Sequence, residues 1–320
     1  MNIDFEIMRE PNFYEYTLKN REKDIDSVTD NGGWEDVKCC PICKSNDVAF
    51  TIFEEGIPHN VCSVCDCLYA SKIPKEKFHS EYDKESIEEI LQSPDEDKRK
   101  YRQERFMQER INYIQLALNK PIKNASLLDV GCNTGVFLEH AKSFFSNVYG
   151  VEQNQAMCSY VERKFKISTY TQLLACPNHI KQDIDVITFF DVIEHLKDPI
   201  PTINSYKKML SYDGIMLFYT PNWRSLCFDV LGINNTQYFP PEHFFFLSEK
   251  TIDFIAAQID SEVVFYETKG MDWYDIMAYD RDINKVNIKN STTYKYMSTF
   301  QEETDDIKYG NHMRFILKEI

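Results

Sequence analysis

Six of the chain's ten cysteines crowd between Cys39 and Cys67, and within that stretch Cys40-Pro-Ile-Cys43 and Cys62-Ser-Val-Cys65 form two C-x-x-C pairs with 18 residues between them. Each pair can present two thiolates to one ion from a tight turn, and two pairs complete a tetrahedral four-sulfur shell for Zn²⁺. Such a shell has no position left for substrate, so its chemistry is structural; Cys39 and Cys67 stand beside it as spares, either of which could replace a neighbour as ligand. A second group of residues is built for a small ligand: a turn, Gly131-Cys-Asn-Thr-Gly135, follows an apolar run, and Glu152 ends the next one. A third group, Asp191-Val-Ile-Glu-His195 and Glu242-His243, combines carboxylates with imidazoles that titrate near neutral pH.

The elements that must position the cysteines are short. Val48-Ala-Phe-Thr-Ile-Phe53 reads as a strand and Gly56 as a turn, so the segment between the pairs folds back as a hairpin, the pattern of a small zinc ribbon over about 37–72. A module of this size has too little core to fold unaided, and metal binding would supply its stability. In a reducing compartment clustered thiols point to metal and not to disulfides.

From about residue 126 strands and helices alternate, the sign of a mostly parallel sheet. Ser126–Val130 is a strand, the glycine turn follows, an amphipathic helix carries Val136, Phe137, Leu138 and Phe144, and Asn147–Val151 is the next strand. Glycine at such a turn takes backbone angles closed to other residues and lets a ligand approach the chain, while an acid at the end of the second strand can take both ribose hydroxyls. Glu152 lies 21 residues beyond Gly131, close to the ~20 expected. Asn133 occupies the place where a dinucleotide site needs its second glycine for pyrophosphate, so the ligand is a nucleoside without phosphates. Ile184–Phe190 and Ile215–Tyr219 read as further buried strands, with a helix from about Pro199 to Leu210 between them and Thr220-Pro-Asn222 after them.

Leu128-Asp-Val-Gly-Cys-Asn-Thr-Gly135 resembles motif I of class I S-adenosylmethionine-dependent methyltransferases. Asp191-Val-Ile-Glu-His195, Gly214 through Asn222, and Pro240-Pro-Glu-His-Phe-Phe-Phe-Leu-Ser248 are similar to segments of the ubiquinone-pathway O-methyltransferase group, and the likeness covers about 124–265. It departs where Tyr212-Asp213-Gly214 replaces the usual proline-glycine and Cys132 a small or apolar residue. The resemblance implies an α/β fold: a Rossmann-like class I methyltransferase sheet with helices on both faces, here with the small N-terminal zinc ribbon, as in methyltransferases of bacterial sugar and surface-polysaccharide pathways. It implies S-adenosylmethionine as cofactor, with Asp129, Gly131, Cys132, Asn133, Thr134 and Gly135 on its methionine and ribose side. Glu152 would meet the ribose and Gln153 the adenine edge, and Phe190 and Asp191 would complete the set at the end of the fourth strand. Some relatives bind a divalent ion through the segment that matches Asp191, Glu194 and His195, which makes these three the candidate ligands of a second ion.

Methyl transfer from a sulfonium is an in-line displacement, so the protein must align the acceptor and take its proton when it is a hydroxyl. His195 and His243 are the candidate bases, and Asn222 is expected near the methyl group; a histidine that braces a loop is the plain structural alternative. The function expected is O-methylation of a small-molecule or sugar or glycan hydroxyl. An RNA methyltransferase that grips nucleic acid with the ribbon, and a non-catalytic cofactor-binding scaffold, are the alternatives. A net charge of −15 opposes the RNA reading, because phosphate chains are bound by Lys and Arg. Lys98-Arg99-Lys100 directly follows Asp95-Glu96-Asp97 and reads as one end of a solvated, charge-mixed helix.

The 320 residues, 43% of them hydrophobic, are enough for two domains. The expected division is 1–78, holding the ribbon, and 79–320, the catalytic domain with a helical N-terminal extension at 85–118 and an insert at about 268–311. Phe106, Ile111, Ile114 and Leu118 mark one face of the extension, from which Arg102 or Arg105 would reach the cofactor carboxylate. Trp273, Tyr274, Tyr279 and Tyr294 in the insert suit an acceptor lid or an oligomer contact. An acidic start without a secretory pattern, and no apolar run near the ~20 residues of a membrane span, place the protein in the cytoplasm, away from the membrane.

Overall fold

Seven strands alternate with helices in the order the apolar runs require. The computed structural model describes residues 5–53, 56–75, 101, 103–171 and 183–320. Lys98-Arg99-Lys100, Arg102 and the first part of the expected extension lie outside the described residues. The chain divides into two units, the first made of Met1–Ser80, Thr220–Ile252 and Glu267–Arg314, the second of Glu81–Tyr219, Asp253–Tyr266 and Phe315–Ile320. The insert therefore belongs with the N-terminal segment.

In the first unit β1 (Trp34–Asp36) pairs antiparallel with β5 (Lys72–Pro74). The ribbon strands β2 (Val48–Ile52), β3 (His59–Cys62) and β4 (Leu68–Ala70) form an antiparallel sheet that is extended by the short β11 (Phe245–Phe246), in the order β11-β4-β3-β2. The helix Phe13–Asn31 precedes the ribbon, and the insert folds as helices Asp272–Asp282, Thr292–Lys295 and Met297–Asp306. One of its aromatics is core: Tyr274 is 1% exposed and clusters with Phe5, Tyr14 and Met277, with Trp273, Tyr279 and Tyr294 half-buried against them. Tyr279 meets Tyr14 edge-on at 5.4 Å and Tyr294 meets Phe5 in the same way at 5.4 Å. These rings tie the insert to the first turns of the chain because both segments are too short to bury apolar surface alone.

The second unit is organised by a sheet with strand order β12-β13-β10-β9-β6-β7-β8. Its strands are β6 (Ser126–Val130), β7 (Asn147–Val151), β8 (Ser168–Tyr170), β9 (Ile184–Phe190), β10 (Leu210–Pro221), β12 (Ser261–Thr268) and β13 (His312–Glu319). The pairs β6–β7, β7–β8, β6–β9 and β9–β10 are parallel. All seven residues of β9 are buried, which is why it reads as a continuous apolar run and not as an alternation. Phe189 stacks on Phe218 at 4.8 Å, and Phe218 on Phe315 at 4.7 Å, so one column of rings crosses β9, β10 and β13. The order reverses between β6 and β9: β7 and β8 extend the sheet one way, β10 the other. Ligands bind doubly wound sheets in the crevice beyond the carboxyl ends of strands at such a reversal. This is the expected Rossmann-like methyltransferase sheet.

Candidate functional site

The turn after β6 is hung on β7: the amides of Gly131 and Cys132 both donate to the Val151 carbonyl, at 2.7 and 2.9 Å. Gly131 has φ +74°, and a Cβ there would stand 2.5 Å from Val192 Cγ2, so both conformation and space demand glycine. Asn133 also takes a left-handed conformation, φ 49°, and its amide donates to Glu152 Oε2 at 3.0 Å. Glu152 Oε1 accepts from the Asn154 amide at 2.8 Å. The carboxylate at the end of β7 is thus aimed across the turn, where the resemblance places the ribose. Cys132 packs inward, its Sγ occupying the space that a side chain at Gly150 would need.

Asp129 is 3% exposed and accepts from Thr188 Oγ1 at 2.7 Å. Burial pushes its carboxyl up to about 7, against the opposing pull of the Thr188 bond and the Arg110 charge. Arg110 comes from the helix Gln108–Ala117, entered through the π-helical turn Gln103–Met107. Such turns recur at functional sites because they re-aim side chains. The Arg110 guanidinium carbon stands 3.8 Å from the Phe190 ring centre and 5.2 Å from that of Tyr219, two rings at the carboxyl ends of β9 and β10. Its Nε is buried without a hydrogen-bond partner, as is Nε of Arg105. Among the described residues Arg110 makes no ion pair with Asp129. A buried acid and a guanidinium with an unpartnered Nε, near enough for the one charge to act on the other, are the groups a zwitterionic amino acid requires, and the residues fit the methionine end of S-adenosylmethionine. Arg110 was not singled out in the sequence, whose only signal was a charge beside the apolar positions Ile111 and Ile114. Asp191, after β9, is exposed, with φ 57° and its amide donating to the Tyr219 carbonyl at 3.0 Å.

In the first unit the four expected cysteine ligands come together, with all four sulfurs within 4.8 Å of one another. Cys40 Sγ and Cys65 Sγ are 3.5 Å apart, and Cys43 Sγ and Cys62 Sγ 3.4 Å. A Zn–S bond of about 2.3 Å in tetrahedral geometry sets sulfurs about 3.8 Å apart, so a small contraction or expansion suffices. The two knuckles are built alike. Lys44 N donates to Cys40 O and Asp66 N to Cys62 O, both at 3.0 Å, while Cys40 N and Cys62 N donate to Ser45 O and Cys67 O, both at 2.9 Å. Lys44 and Asp66 are both left-handed, φ 59°. By this repeat Cys67 matches Ser45, a turn position and not a ligand. The hydrogen bond between the two sulfurs holds the Cys40 thiol down and pushes Cys65 up.

A sequence profile for the methyltransferase domain family matches residues 99–265, just over half of the chain. The chain belongs to that family. It is 22% identical over 187 residues to the ubiquinone biosynthesis O-methyltransferase of Hydrogenovibrio crunogenus, covering 54% of this chain and 76% of that one. It is 30% identical over 142 residues to the enzyme of the same name from Actinobacillus pleuropneumoniae serotype 7, covering 40% and 58%. Across the first relatives the match spans from 50% to 76% of their length. Among solved structures, magnesium protoporphyrin IX methyltransferase from Synechocystis PCC 6803 superposes with TM-score 0.48 at 13% identity, covering 75% of this chain and 96% of that one.

Within this methyltransferase the remaining candidates separate. His195 closes a 3-10 turn, Ile193–His195, after β9, with Glu194 fully buried beside it. Asp191 does not join Glu194 and His195 in a ligand cluster among the described residues, because its left-handed backbone leaves it exposed while the turn buries Glu194. His243, in the first unit, places Nδ1 2.8 Å from the Gln237 carbonyl. A carbonyl only accepts, so Nδ1 carries the proton and Nε2 the lone pair. Asn222 was expected beside the reacting methyl, but its amide is spent within its own unit: Nδ2 donates to Arg224 O at 3.0 Å and Gly310 O at 2.9 Å. Gln153 follows Glu152 and is half-buried, and Thr134 is buried at the start of the helix Val136–Ala141. Among the described residues no helix is long and apolar enough to cross a membrane.

Proposed function

We propose that this methyltransferase takes its methyl group from S-adenosylmethionine, delivers it to a hydroxyl of a small molecule or glycan, and carries one structural zinc in the ribbon. The observation that supports the cofactor most directly is the nearness of buried Asp129 to the guanidinium of Arg110, whose Nε has no hydrogen-bond partner, at the strand reversal. Asp129 would hold the ammonium and Arg110 the carboxylate of the methionine end, with Glu152 toward the ribose. When bound, the cofactor supplies an electrophilic methyl on a sulfonium, a good leaving group. The chain's own work is then to fix the acceptor oxygen in line and to take its proton.

Transfer to oxygen is supported by the O-methyltransferase activity for which the relatives are named. His243 is the base we favour, because the Gln237 carbonyl fixes the tautomer that leaves Nε2 able to accept a proton; His195 is the second candidate. The zinc reading is supported by the sulfur spacing and by the repeated knuckle geometry. An acceptor without a polyphosphate backbone is supported by the net charge of −15. Calorimetry with S-adenosylhomocysteine tests the cofactor: saturable one-to-one binding that Asp129→Asn weakens is expected, and no heat with the full-length, zinc-loaded protein would sink the reading.

A further inference from the structure

The Cys62–Cys65 knuckle is gripped from outside the ribbon by both ends of one segment of the first unit. Trp223 and Arg224, just past β10, meet Asp66, the residue after the knuckle. Trp223 Nε1 donates to the Asp66 carbonyl at 2.8 Å, and Arg224 Nε and Nη2 donate to the two Asp66 carboxylate oxygens at 3.0 and 2.6 Å. The Arg224 guanidinium carbon stands 3.8 Å from the Trp223 ring centre, so the fork is steadied by the indole while it holds the acid. At the other end of the segment, Thr251 is fully buried and its Oγ1 donates to the Cys65 carbonyl at 2.9 Å. Between these two attachments the chain closes on itself: Trp223 N donates to Leu247 O at 3.2 Å, and Asn222 and Leu247 form a parallel bridge. Residues 223–247 are therefore a closed loop whose neck rests on two consecutive residues of a metal-ligating turn, and His243 lies within that loop.

Ribbon and loop also share a core. Val61 and Leu68 of the ribbon form one apolar cluster with Trp223, Phe228 and Phe246 of the loop, and the loop's β11 pairs Phe245 with Tyr69 and Phe246 with Leu68 of β4. The two knuckles differ at one telling position. Where the second has Asp66, the first has Lys44 in the same left-handed conformation, φ 59°. The turn itself thus accepts either charge, and what the acid adds is a partner for Arg224. An isolated surface ion pair contributes little. Here the pair is bidentate, stacked on a buried indole, and joined by that indole's own N–H to the same residue, so its geometry is fixed at three points.

We propose that the ion held by Cys62 and Cys65 fixes the neck of loop 223–247, and that Asp66 is the positioning residue through which it acts on His243. A turn clamped by two metal-bound thiolates presents the Cys65 and Asp66 carbonyls in one arrangement, and both attachments of the loop depend on it. The ribbon is on this account the latch of the loop that bears the favoured base, beyond stabilising its own few strands. The inference rests on the zinc and His243 readings above; elemental analysis without zinc would sink the zinc reading by itself, whereas the latch is tested in protein shown to hold the metal.

The test uses full-length protein carrying about one zinc per chain. It follows hydrogen exchange of the backbone amides of 223–247 and the ¹⁵N signals of the His243 ring. Removal of zinc by a chelator should speed exchange across 223–247, and a loop that stays as protected as in the loaded protein overturns the proposal. Asp66→Lys keeps all four thiolates and places the first knuckle's own residue at the turn. This variant should retain zinc, exchange about tenfold faster in 223–247, and leave the amides of β6 and β9 unchanged. His243, whose tautomer the Gln237 carbonyl fixes, should then show ¹⁵N signals averaged between its two neutral tautomers. Adding Arg224→Glu restores opposite charges and should bring back most of the protection and the single tautomer. Wild-type protection in zinc-loaded Asp66→Lys, or a double variant no better than the single one, overturns the role of Asp66. Should Asp66→Lys fail to hold zinc, Arg224→Ala, which leaves the knuckle untouched, must show the same loosening with zinc retained, and wild-type protection there overturns the proposal as well.

Discussion

The Arg110 guanidinium carbon stands over the Phe190 ring, 3.8 Å from its centre, and among the described residues makes no ion pair with Asp129. A cation over a ring keeps its hydrogen-bonding edge, and Nη1 meets the weak acceptor Met107 Sδ at 3.7 Å. Arg110 Nε has no partner, and Asp129 keeps acceptor capacity beyond its Thr188 bond, so each can take a third group. Arg110→Ala should weaken S-adenosylhomocysteine binding about ten- to a hundredfold, the worth of a charge-assisted hydrogen bond. Arg110→Lys should recover little of it, since an ammonium neither stacks on Phe190 in the same way nor offers a planar fork. Calorimetry on both variants, with circular dichroism to show that the sheet is intact, checks this; Lys binding as well as Arg would remove the fork from the account.

Asp129 makes cofactor binding sensitive to pH. Its carboxyl is raised to about 7 by burial, from an unperturbed 3.8. A raised acid contributes stability that is fully present below the unfolded value, falls as pH climbs from there, and is lost above about 7. The ammonium group needs the charged form, so binding gains what the free fold loses. Affinity for S-adenosylhomocysteine should rise as pH passes from 6 to 8, by up to about tenfold per unit below 7 and less above it. The thermal shift given by the ligand should grow over the same interval. Asp129→Asn should bind weakly with a flat profile, and a wild-type profile that falls across this window would contradict the ionised-acid role.

The cysteine cluster predicts about one zinc per chain by elemental analysis. Cys43→Ser and Cys65→Ser should each lose it and melt at lower temperature, because a ribbon sheet of a few short strands draws its stability from the metal. Cys67→Ser should keep the metal, since Cys67 occupies the turn position that Ser45 occupies in the other knuckle. Loss of zinc in the Cys67 variant would mean that the repeat has been misread.

The parts of the site that sequence made legible are those fixed by local stereochemistry. C-x-x-C turns, a glycine that must take φ +74°, and an acid one strand later are short-range requirements, and all stand where the spacing put them. What the sequence left hidden is long-range. Arg110 reads as one more charge on a helix until β9 and β10 bring Phe190 and Tyr219 beneath it. The aromatics of the insert read as available surface until the N-terminal segment, more than 250 residues earlier, packs on Tyr274 and Tyr279. The strand β11, two residues long, carries no period at all, and only pairing with β4 makes it a strand.

Asn222 shows how a residue that looks functional can be consumed by the backbone. It is 1% exposed, its Oδ1 accepts from Arg224 N at 3.1 Å, and its own amide nitrogen donates to Asn311 O at 2.9 Å. With the two Nδ2 bonds, one side chain satisfies three backbone groups of the loop and of the segment at Gly310. Asn222→Ala would strand two carbonyls and one amide in the interior, and about 2–4 kcal/mol of lost stability is expected from urea unfolding. Asn222→Asp is the sharper test. A carboxylate cannot donate to the Arg224 and Gly310 carbonyls and would face both with negative charge, so this variant should be worse than Ala at neutral pH and recover partly in acid, where the protonated group can donate once. If Asn222 instead served the methyl transfer directly, both variants would unfold like wild type and differ only in turnover.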